Sequence, residues 1–255
     1  MQKDEASALA MILKDCGCAR QLIDECIRIK AGSGEKELLP VLQQQRYRLL
    51  DKIHEEQQKL DVLDYVIFRL KQGGLKMSKN ILVISSSLRG GSNSEILADE
   101  FIRGAREAGN KVERISLRGK KINFCIGCLA CQQTGSCVLK DDMAEILPVM
   151  QQADVICFAS PVYFYDMCGQ LKTFLDRTNP LFPSEYKFRD IYFLLTAADT
   201  EQTAAEGPLK GLQGWIDCFE QAELKGVVCG LGAEKPSDVK AMPAMAEAYE
   251  LGRKA

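Results

Sequence analysis

From residue 79 onward, short apolar runs alternate with longer stretches of helical periodicity. Short runs rich in Val, Ile and Leu between turn signals are typical of strands, whereas apolar residues three and four positions apart indicate helices. A regular alternation of strand and helix predicts a parallel sheet covered by helices on both faces. The predicted strands are residues 80–85, 111–117, 154–160, 190–196 and 226–231.

A loop of small residues follows the first predicted strand. Residues 85–94 read Ser-Ser-Ser-Leu-Arg-Gly-Gly-Ser-Asn-Ser, and a helical pattern begins at Glu95. Amides and hydroxyls of such a loop can converge on one point, and the following helix adds unpaired N–H groups. The loop lacks both the spaced glycines of a dinucleotide fingerprint and the Gly-Lys-Ser/Thr ending of a Walker A loop. A mononucleotide phosphate is therefore the favoured ligand, and a linker that only turns the chain is the alternative.

The position of this loop decides the predicted topology. A phosphate loop after the first of five parallel strands predicts an α/β fold, a flavodoxin-like three-layer sandwich with strand order 2-1-3-4-5. Its ligand is expected at the carboxyl ends of strands one, three and four. We predict two domains, a helical segment over residues 1–75 and the flavodoxin-like domain over residues 79–255, joined by a glycine-containing linker.

Aromatic residues follow the third predicted strand. Pro161 is predicted to end that strand, which leaves the aromatic triplet at residues 163–165 in a loop at the ligand edge. Exposed aromatics there suit a flat conjugated ring, and a hydrophobic contact between strand and helix is the alternative. After the fourth strand, Ala197 and Ala198 are small enough for a ring or ribityl chain to pass.

Four cysteines lie in the loop after the second predicted strand. Cys125, Cys128, Cys131 and Cys137 form a C-x2-C-x2-C-x5-C array. Thiolates at this spacing can wrap a cubane cluster, whereas structural zinc usually takes two separated pairs, so the array favours iron–sulfur over zinc. A thiol-rich loop that covers the ligand without any metal is the alternative.

The N-terminal segment carries a heptad pattern. Apolar residues recur at alternating steps of three and four, interrupted only by Arg46 and Glu56, which predicts a coiled-coil helix. A long helix packed on its own domain is the alternative, but the repeat favours a second helix from another subunit. The seam positions are Leu39, Leu42, Arg46, Leu49, Ile53, Glu56, Leu60, Leu63, Ile67 and Leu70.

This segment resembles part of a regulator family. Residues 13–18, Leu-Lys-Asp-Cys-Gly-Cys, and a long helix that ends with residues 60–67 look like the effector and dimerisation portion of mercury-resistance-type (MerR) regulators, which dimerise through an antiparallel coiled coil. No basic recognition helix accompanies the resemblance, so it implies dimerisation rather than DNA binding. Cys16 and Cys18 are either an effector-sensing pair or buried, bystander thiols.

The nearly neutral net charge limits the classes of partner that the chain is expected to attract. Thirty-three basic and thirty-five acidic residues give a formal charge of -2, which offers no general attraction for nucleic acid or an anionic membrane. The apolar runs fall short of the ~20 residues of a membrane helix, and the N-terminus lacks a signal-peptide pattern. We expect a cytoplasmic protein whose eleven cysteines act as thiols, metal ligands or redox groups.

The serine loop, the cysteine array and the aromatic segment together resemble the NADPH-dependent FMN reductase and iron–sulfur flavoprotein branch of the flavodoxin-like superfamily, over residues 79–255. The resemblance implies bound FMN, NAD(P)H as electron donor and, in iron–sulfur members, a 4Fe-4S cluster. The implied cofactor-binding residues are Ser86, Ser87, Arg89, Ser92, Asn93 and Ser94 at the phosphate, Pro161, Val162, Tyr163 and Phe164 at the ring, and Ala197 and Ala198 beside it; the implied metal ligands are Cys125, Cys128, Cys131 and Cys137.

The predicted function is an FMN-dependent NAD(P)H oxidoreductase that reduces a small-molecule acceptor (quinone, azo or nitro) or a protein acceptor. The chemistry would pass through the flavin, so no catalytic side chain is required. The alternative is an iron–sulfur flavoprotein that acts as an electron carrier or redox sensor, and a redox-responsive transcription regulator is less favoured. The predicted partners are the electron acceptor and a second copy of the chain through the coiled coil, with no nucleic acid and no membrane.

Overall fold

A computed structural model describes residues 3–32, 35–71 and 78–255. The chain divides into two compact units, Met1–Lys76 and Met77–Ala255. The predicted glycine-containing linker lies mostly outside the described residues. Each unit has hydrophobic clusters of its own.

The first unit consists of three helices. They are α1 (Lys3–Asp15), α2 (Arg20–Gly32) and α3 (Glu35–Lys71). Gly17 adopts a positive φ of 69° in the turn that ends α1, a conformation that glycine adopts without steric cost. The small core at this end of the unit consists of Leu13, Cys18, Cys26 and Leu38.

The two cysteines of the predicted sensing pair lie in different environments. Cys18 is buried in the small core, whereas Cys16 is exposed. Burial raises the pKa of the Cys18 thiol, and the neighbouring Cys16 raises it further. The pKa of the Cys26 thiol, also in this core, is raised by burial as well. Cys18 therefore has the environment of a packed apolar side chain.

Helix α3 is long and largely exposed. It has 37 residues, so it is about 56 Å long at 1.5 Å per residue. Pro40 is the sixth residue of α3, beyond the first four positions whose N–H groups have no partner within a helix, so its missing N–H removes one intrahelical hydrogen bond. No helix in the described ranges is long and apolar enough to cross a membrane. The exposed seam residues of α3 include Leu49, Ile53, Leu60, Leu63, Ile67 and Leu70.

The second unit is built on a twisted parallel sheet. Its five main strands pair in the order β2-β1-β3-β5-β6, which confirms the predicted order of the five strands. A sixth strand, β4, pairs antiparallel with the end of β3 and was not predicted. The strands are β1 (Asn80–Ser85), β2 (Lys111–Ser116), β3 (Val155–Tyr163), β4 (Asp166–Met167), β5 (Asp190–Ala197) and β6 (Glu223–Leu231).

Helices cover both faces of this sheet. Apolar residues of α6, α7 and α8 pack on one face, and those of α4 and α9 pack on the other. Helices α4 and α9 cross at two glycines, because a Cβ on Gly104 would lie 2.1 Å from the Tyr249 carbonyl oxygen and one on Gly252 2.1 Å from that of Phe101. The helices are α4 (Asn93–Glu107), α5 (Ala130–Thr134), α6 (Met143–Gln152), α7 (Gly169–Asp176), α8 (Glu206–Ile216) and α9 (Ala244–Lys254).

The prediction that Pro161 ends the third strand is wrong. Strand β3 continues through Pro161 to Tyr163, and Pro161 lies opposite Thr196 of β5. Proline is tolerated here because the neighbour on the other side, β1, has already ended opposite Ala159. The missing N–H therefore leaves no gap between β1 and β3.

Candidate functional site

Three consecutive serines lie buried where β1 ends. The Ser86 hydroxyl donates to the carbonyl oxygen of Ala159 at 2.8 Å, and the Ser87 hydroxyl accepts from the amide of Arg89 at 3.3 Å. The hydroxyl of Ser85 is buried and has no hydrogen-bond partner among the described residues. An unmatched buried hydroxyl costs stability unless a ligand or water satisfies it. The loop therefore has hydrogen-bonding capacity left for a polar ligand.

The start of α4 is capped by its own side chains. The hydroxyl of Ser92 accepts from the amide of Glu95 and lies 3.3 Å from the hydroxyl of Ser94. The carboxylate of Glu95 accepts from the amide of Gly91 at 2.7 Å. This reciprocal arrangement is a variant of the capping box, which holds the loop against the first turn of the helix.

The Asn93 side chain has a structural role. Its amide nitrogen donates to the carbonyl oxygens of Ala233 at 3.1 Å and Lys235 at 2.8 Å, and its oxygen accepts from the amide of Val239 at 3.4 Å. The side chain thus holds the segment after β6 against the start of α4. Only the backbone N–H of Asn93 is left to donate to a phosphate. Its predicted contact with the cofactor is therefore limited to the main chain.

Arginine side chains lie close to the same loop. A Cβ on Gly90 would lie 2.1 Å from Nη1 of Arg118, so the guanidinium rests against the loop backbone. Both Arg118 and Arg114 form ion pairs with Glu95, which leaves its carboxylate charge compensated. Sequence reasoning missed Arg118, although its place directly after the second strand indicates the same sheet edge. Together with exposed Arg89, it makes the surroundings of the loop suitable for an anion.

The aromatic triplet forms the tip of a tight hairpin between β3 and β4. Tyr163 pairs with Asp166, and the two residues between them, Phe164 and Tyr165, have positive φ values of 50° and 60°. Positive φ at both central residues is the geometry of a type I′ turn, which usually takes Asn or Gly. Bulky residues there strain the backbone, and such strain is concentrated at functional sites. The ring of Phe164 is fully exposed as a result.

Neighbouring elements hold the hairpin in place. The hydroxyl of Tyr165 donates to the carboxylate of Asp199 at 2.8 Å. A Cβ on Gly207, at the start of α8, would lie 2.0 Å from the carbonyl oxygen of Tyr165. Of the small residues beside the hairpin, Ala197 is buried at the end of β5 and Ala198 is exposed. The hairpin, the segment after β5 and the serine loop all lie at the carboxyl edge of the sheet.

The four cysteines of the array have unequal environments. Cys125 and Cys128 are exposed, Cys131 is buried and Cys137 is half-buried. In the described part of the chain, no three Cys, His, Asp or Glu side chains are gathered to hold a metal. The structure therefore does not bring the four sulfurs together. It instead gives two of them polar donors, because Asn179 donates to the sulfur of Cys131 at 3.3 Å and Arg177 to that of Cys137 at 3.5 Å.

Sequence reasoning also missed a buried thiol that joins the two halves of the site. Cys168 precedes α7, and its Sγ lies 3.2 Å from the hydroxyl of Ser86. Its backbone amide donates to the hydroxyl of Ser160. This contact network connects the serine loop to the hairpin segment between β3 and α7.

Comparison with known proteins gives partial matches to characterised sequences. An iron–sulfur flavoprotein of Methanocaldococcus jannaschii is 43% identical over 101 residues, 40% of this chain and 52% of that protein. One from Archaeoglobus fulgidus is 36% identical over 102 residues, 40% of this chain and 46% of that protein. The chain thus spans about half the length of these relatives.

Solved structures share the fold. An NAD(P)H:quinone oxidoreductase from Methanothermobacter marburgensis matches 70% of this chain and 96% of its own, with a TM-score of 0.57 and 19% identity. An azoreductase from Bacillus anthracis matches 70% of this chain and 100% of its own, with a TM-score of 0.55 and 16% identity. At these identities the matches establish the fold alone.

A protein-family match begins just before β1 and ends at the start of α8. It does not include the first unit, so the resemblance of that unit to MerR-type regulators stays a prediction. Residues 79–207, about half of the chain, match the NADPH-dependent FMN reductase family. This match includes the serine loop, the cysteine array and the aromatic hairpin, so the chain belongs to the NADPH-dependent FMN reductase family.

Proposed function

We propose that the chain binds FMN at the carboxyl edge of its sheet and passes electrons from NAD(P)H through the flavin to an acceptor. The observation that carries this proposal is the placement, at one sheet edge, of a buried serine loop that starts a helix and an exposed aromatic hairpin. A phosphate and a flat ring are the two ends of a flavin mononucleotide. Parallel α/β sheets bind ligands at this edge.

The loop fits the phosphate end. The hydroxyl of Ser87, the first amides of α4 and the cationic side chains of Arg89 and Arg118 offer donors and positive charge to a phosphate dianion. The Ser86 hydroxyl already donates to the Ala159 carbonyl oxygen, so its part is to hold the loop against β3. Since Glu95 is already paired with arginines, its carboxylate opposes an incoming anion only weakly. The unmatched Ser85 hydroxyl is a further polar group at this strand end.

The hairpin fits the ring end. Val162, Tyr163 and Phe164 present apolar surface at the sheet edge, and Pro161 adds a rigid, half-buried wall. Ala197 and Ala198 leave room beside them. An aromatic surface of this kind packs against a conjugated ring through dispersion and burial of apolar area.

Bound flavin would supply the electron chemistry, accepting a hydride from a nicotinamide and delivering electrons singly or in pairs. The protein's own residues bind the phosphate, orient the ring through the hairpin and exclude water from one ring face. None of them needs to act as a general base. The acceptors we propose are quinones, azo compounds and nitro compounds. Structural relatives are named for the first two of these activities, one as a quinone oxidoreductase and one as an azoreductase.

The test is a flavin titration followed by reduction. FMN added to the flavin-free protein should bind at one per chain with quenched fluorescence, and anaerobic NADPH or NADH should bleach the bound flavin. Menadione, methyl red and a nitrofuran then test the acceptor classes in turn. A protein that neither retains nor takes up FMN would overturn the proposal.

A second candidate function is that of an iron–sulfur flavoprotein that transfers electrons between its two centres and a protein partner. The specific observation in its favour is that Cys131 and Cys137 already accept hydrogen bonds from fixed side chains. N–H donors of this kind are the usual partners of ligating cysteine sulfurs. Cys125 and Cys128 lie on an exposed loop and would have to move inward to complete the ligand set. Iron and acid-labile sulfide, measured after anaerobic reconstitution with ferrous iron and sulfide, decide this candidate.

We also propose that two chains pair through α3. Most of its seam positions are apolar, and apolar seam residues are exposed along most of the helix. Residues 46–52 carry a net charge of +2 and residues 55–64 a net charge of -3. An antiparallel pair sets these segments opposite each other, whereas a parallel pair sets like charges together. The charge pattern therefore favours an antiparallel dimer.

A further inference from the structure

A fully buried arginine lies beside the cysteine array. Arg177 follows α7 and is 1% exposed, and it donates to both carboxylate oxygens of Asp141, at 2.6 Å and 3.0 Å. The Asp141 side chain is itself 3% exposed. Such a two-point contact fixes the relative orientation of the two groups as well as their separation.

The same arginine joins the two ends of the cysteine segment, residues 123–141. Its Nη1 donates to the carbonyl oxygen of Asn123 at 2.7 Å. Asn123 in turn donates to Asp141 from its amide at 2.9 Å and from its side chain at 3.0 Å. Three side chains thus close the segment at its base, and all four cysteines of the array lie between its two ends.

Two residues of the segment 177–179 donate hydrogen bonds to cysteine sulfurs. Nη2 of Arg177 donates to Sγ of Cys137 at 3.5 Å, and Nδ2 of Asn179 donates to Sγ of Cys131 at 3.3 Å. Thr178 between them is held by the indole N–H of Trp215 at 2.8 Å. Arg177 and Asn179 both contact the cysteine segment, and Thr178 between them is anchored to Trp215 of α8, so the two donors are held beside that segment.

The burial of this arginine needs an explanation other than stability. A buried ion pair often contributes no more to folding than well-packed apolar residues of the same size, because desolvation offsets the attraction. The Nε of Arg177 is buried and has no hydrogen-bond partner within the described part of the chain. The pair instead fixes the position and orientation of a charged donor at the base of the cysteine segment.

We infer that Arg177 is a positioning residue that clamps the two ends of residues 123–141 and, with Asn179, sets Cys137 and Cys131 against fixed N–H donors. The clamp stands on the contacts themselves, and the role at sulfur rests on the proposed iron–sulfur function. With a 4Fe-4S cluster bound, donors to its cysteine sulfurs would stabilise the reduced, more negative state.

The clamp is tested by amide hydrogen exchange of the full-length protein, followed by mass spectrometry. In Arg177→Lys, exchange over residues 123–141 should rise about tenfold or more, because lysine keeps the charge but loses the two-point contact. Asn123→Ala is a milder variant at an exposed position and should give a smaller rise. Exchange over residues 85–94 should not change, and Arg189→Lys, at an exposed arginine, is the control.

The role at sulfur is tested on protein reconstituted anaerobically with ferrous iron and sulfide. Asn179→Ala should shift the cluster's reduction potential to more negative values, and Arg177→Lys should also lower the iron bound per chain at least twofold. Asn110→Ala removes a partly buried asparagine from the other end of the sheet and should change neither quantity.

Each outcome has a defined meaning. Unchanged exchange over residues 123–141 in both Arg177→Lys and Asn123→Ala would overturn the clamp. Unchanged potential and iron content in Arg177→Lys and Asn179→Ala would overturn the role at sulfur, and so would a wild-type protein that takes up no iron. The FMN titration reports on the proposed oxidoreductase function separately, because its site lies at the serine loop and the hairpin.

Discussion

The hydroxyl of Tyr165 donates a hydrogen bond of 2.8 Å to the carboxylate of Asp199. This hydrogen bond joins the tip of the β3–β4 hairpin to the segment after β5, so two sides of the proposed ring site are held together. The bond to Asp199 raises the pKa of Tyr165. The pKa of Asp199 is lowered, first by the amide of Glu201 and then by the Tyr165 hydroxyl. The pair is therefore a phenol and a carboxylate at neutral pH.

Removing this hydroxyl should weaken flavin binding. In Tyr165→Phe the hairpin keeps its ring but loses its tie to Asp199, so FMN affinity should fall about fivefold, as for one hydrogen bond worth about 1 kcal/mol. Fluorescence titration measures this. Tyr249→Phe is the matched control, because its hydroxyl also donates to a carboxylate, that of Glu107, away from the site. Equal affinities for the two variants would contradict the expectation.

A methyl group at Gly207 should displace the hairpin. Its Cβ would lie 2.0 Å from the Tyr165 carbonyl oxygen, a backbone atom, so Gly207→Ala should cost about 1–3 kcal/mol and weaken FMN binding. Gly214→Ala on the same helix meets nothing within 4 Å and should stabilise the protein by up to about 1 kcal/mol. Thermal melting and FMN titration compare the two. A Gly207→Ala protein as stable as Gly214→Ala would show that the contact is not needed.

Arg118 should act on the phosphate and not on the ring. Arg118→Gln should weaken FMN binding about tenfold, as for a charge-assisted hydrogen bond of about 1.5 kcal/mol, and should leave riboflavin binding unchanged. Riboflavin lacks the phosphate, so the ratio of the two affinities isolates this contact. Arg106→Gln, whose side chain contacts the carbonyl of Val112, is the control. A parallel loss for both ligands would assign Arg118 to the fold instead.

Acid should weaken the clamp at Asp141. Burial raises the pKa of Asp141, but hydrogen bonds from Arg177, Asn123 and Met143 outweigh burial and lower it to about 2. Because the folded-state pKa lies below the unfolded value, the stabilisation is complete above about pH 4 and is lost as the pH falls towards 2. The free energy of unfolding should therefore drop by about 2 kcal/mol from this group.

Urea unfolding at a series of pH values measures that loss. In Asp141→Asn the group no longer titrates, so the decrease between pH 5 and pH 2 should be smaller by about the same 2 kcal/mol. The variant should also be less stable by about 3–5 kcal/mol at neutral pH, because Arg177 is left buried without its partner. Identical pH profiles for the two proteins would exclude Asp141 as the source.

A charge in the α3 seam should separate the proposed dimer. Ile53→Asp places a carboxylate on the seam, whereas Val62→Asp places it elsewhere on the same helix. Both side chains are equally exposed in the single chain, at 64% and 65%, so a difference between them reports on the partner. Sedimentation equilibrium should give a monomer for Ile53→Asp and a dimer for wild type and Val62→Asp. A monomeric wild type would contradict the dimer.

Much of the fold could be predicted because its signals are local. The strand–helix alternation and the serine loop after the first strand led to the order of the five main strands. The β3–β4 hairpin is not predicted, because Pro161 is expected to end the strand. A proline breaks a strand only where a neighbouring strand needs its N–H, and β1 has already ended at this point. The two-residue strand β4 is too short to leave a periodic pattern.

The sequence by itself determined which chemistry meets at the sheet edge, because loops after parallel strands emerge on the same side whatever their internal details. Only the tertiary structure decided which side chains remain available there. The Asn93 side chain is bonded to Ala233 and Lys235, which are distant in the sequence. Arg177 likewise bonds to Asp141 and Cys137, which lie 36 and 40 residues before it. Such pairings depend on how loops settle against packed helices, a balance of many weak contacts that no local pattern records.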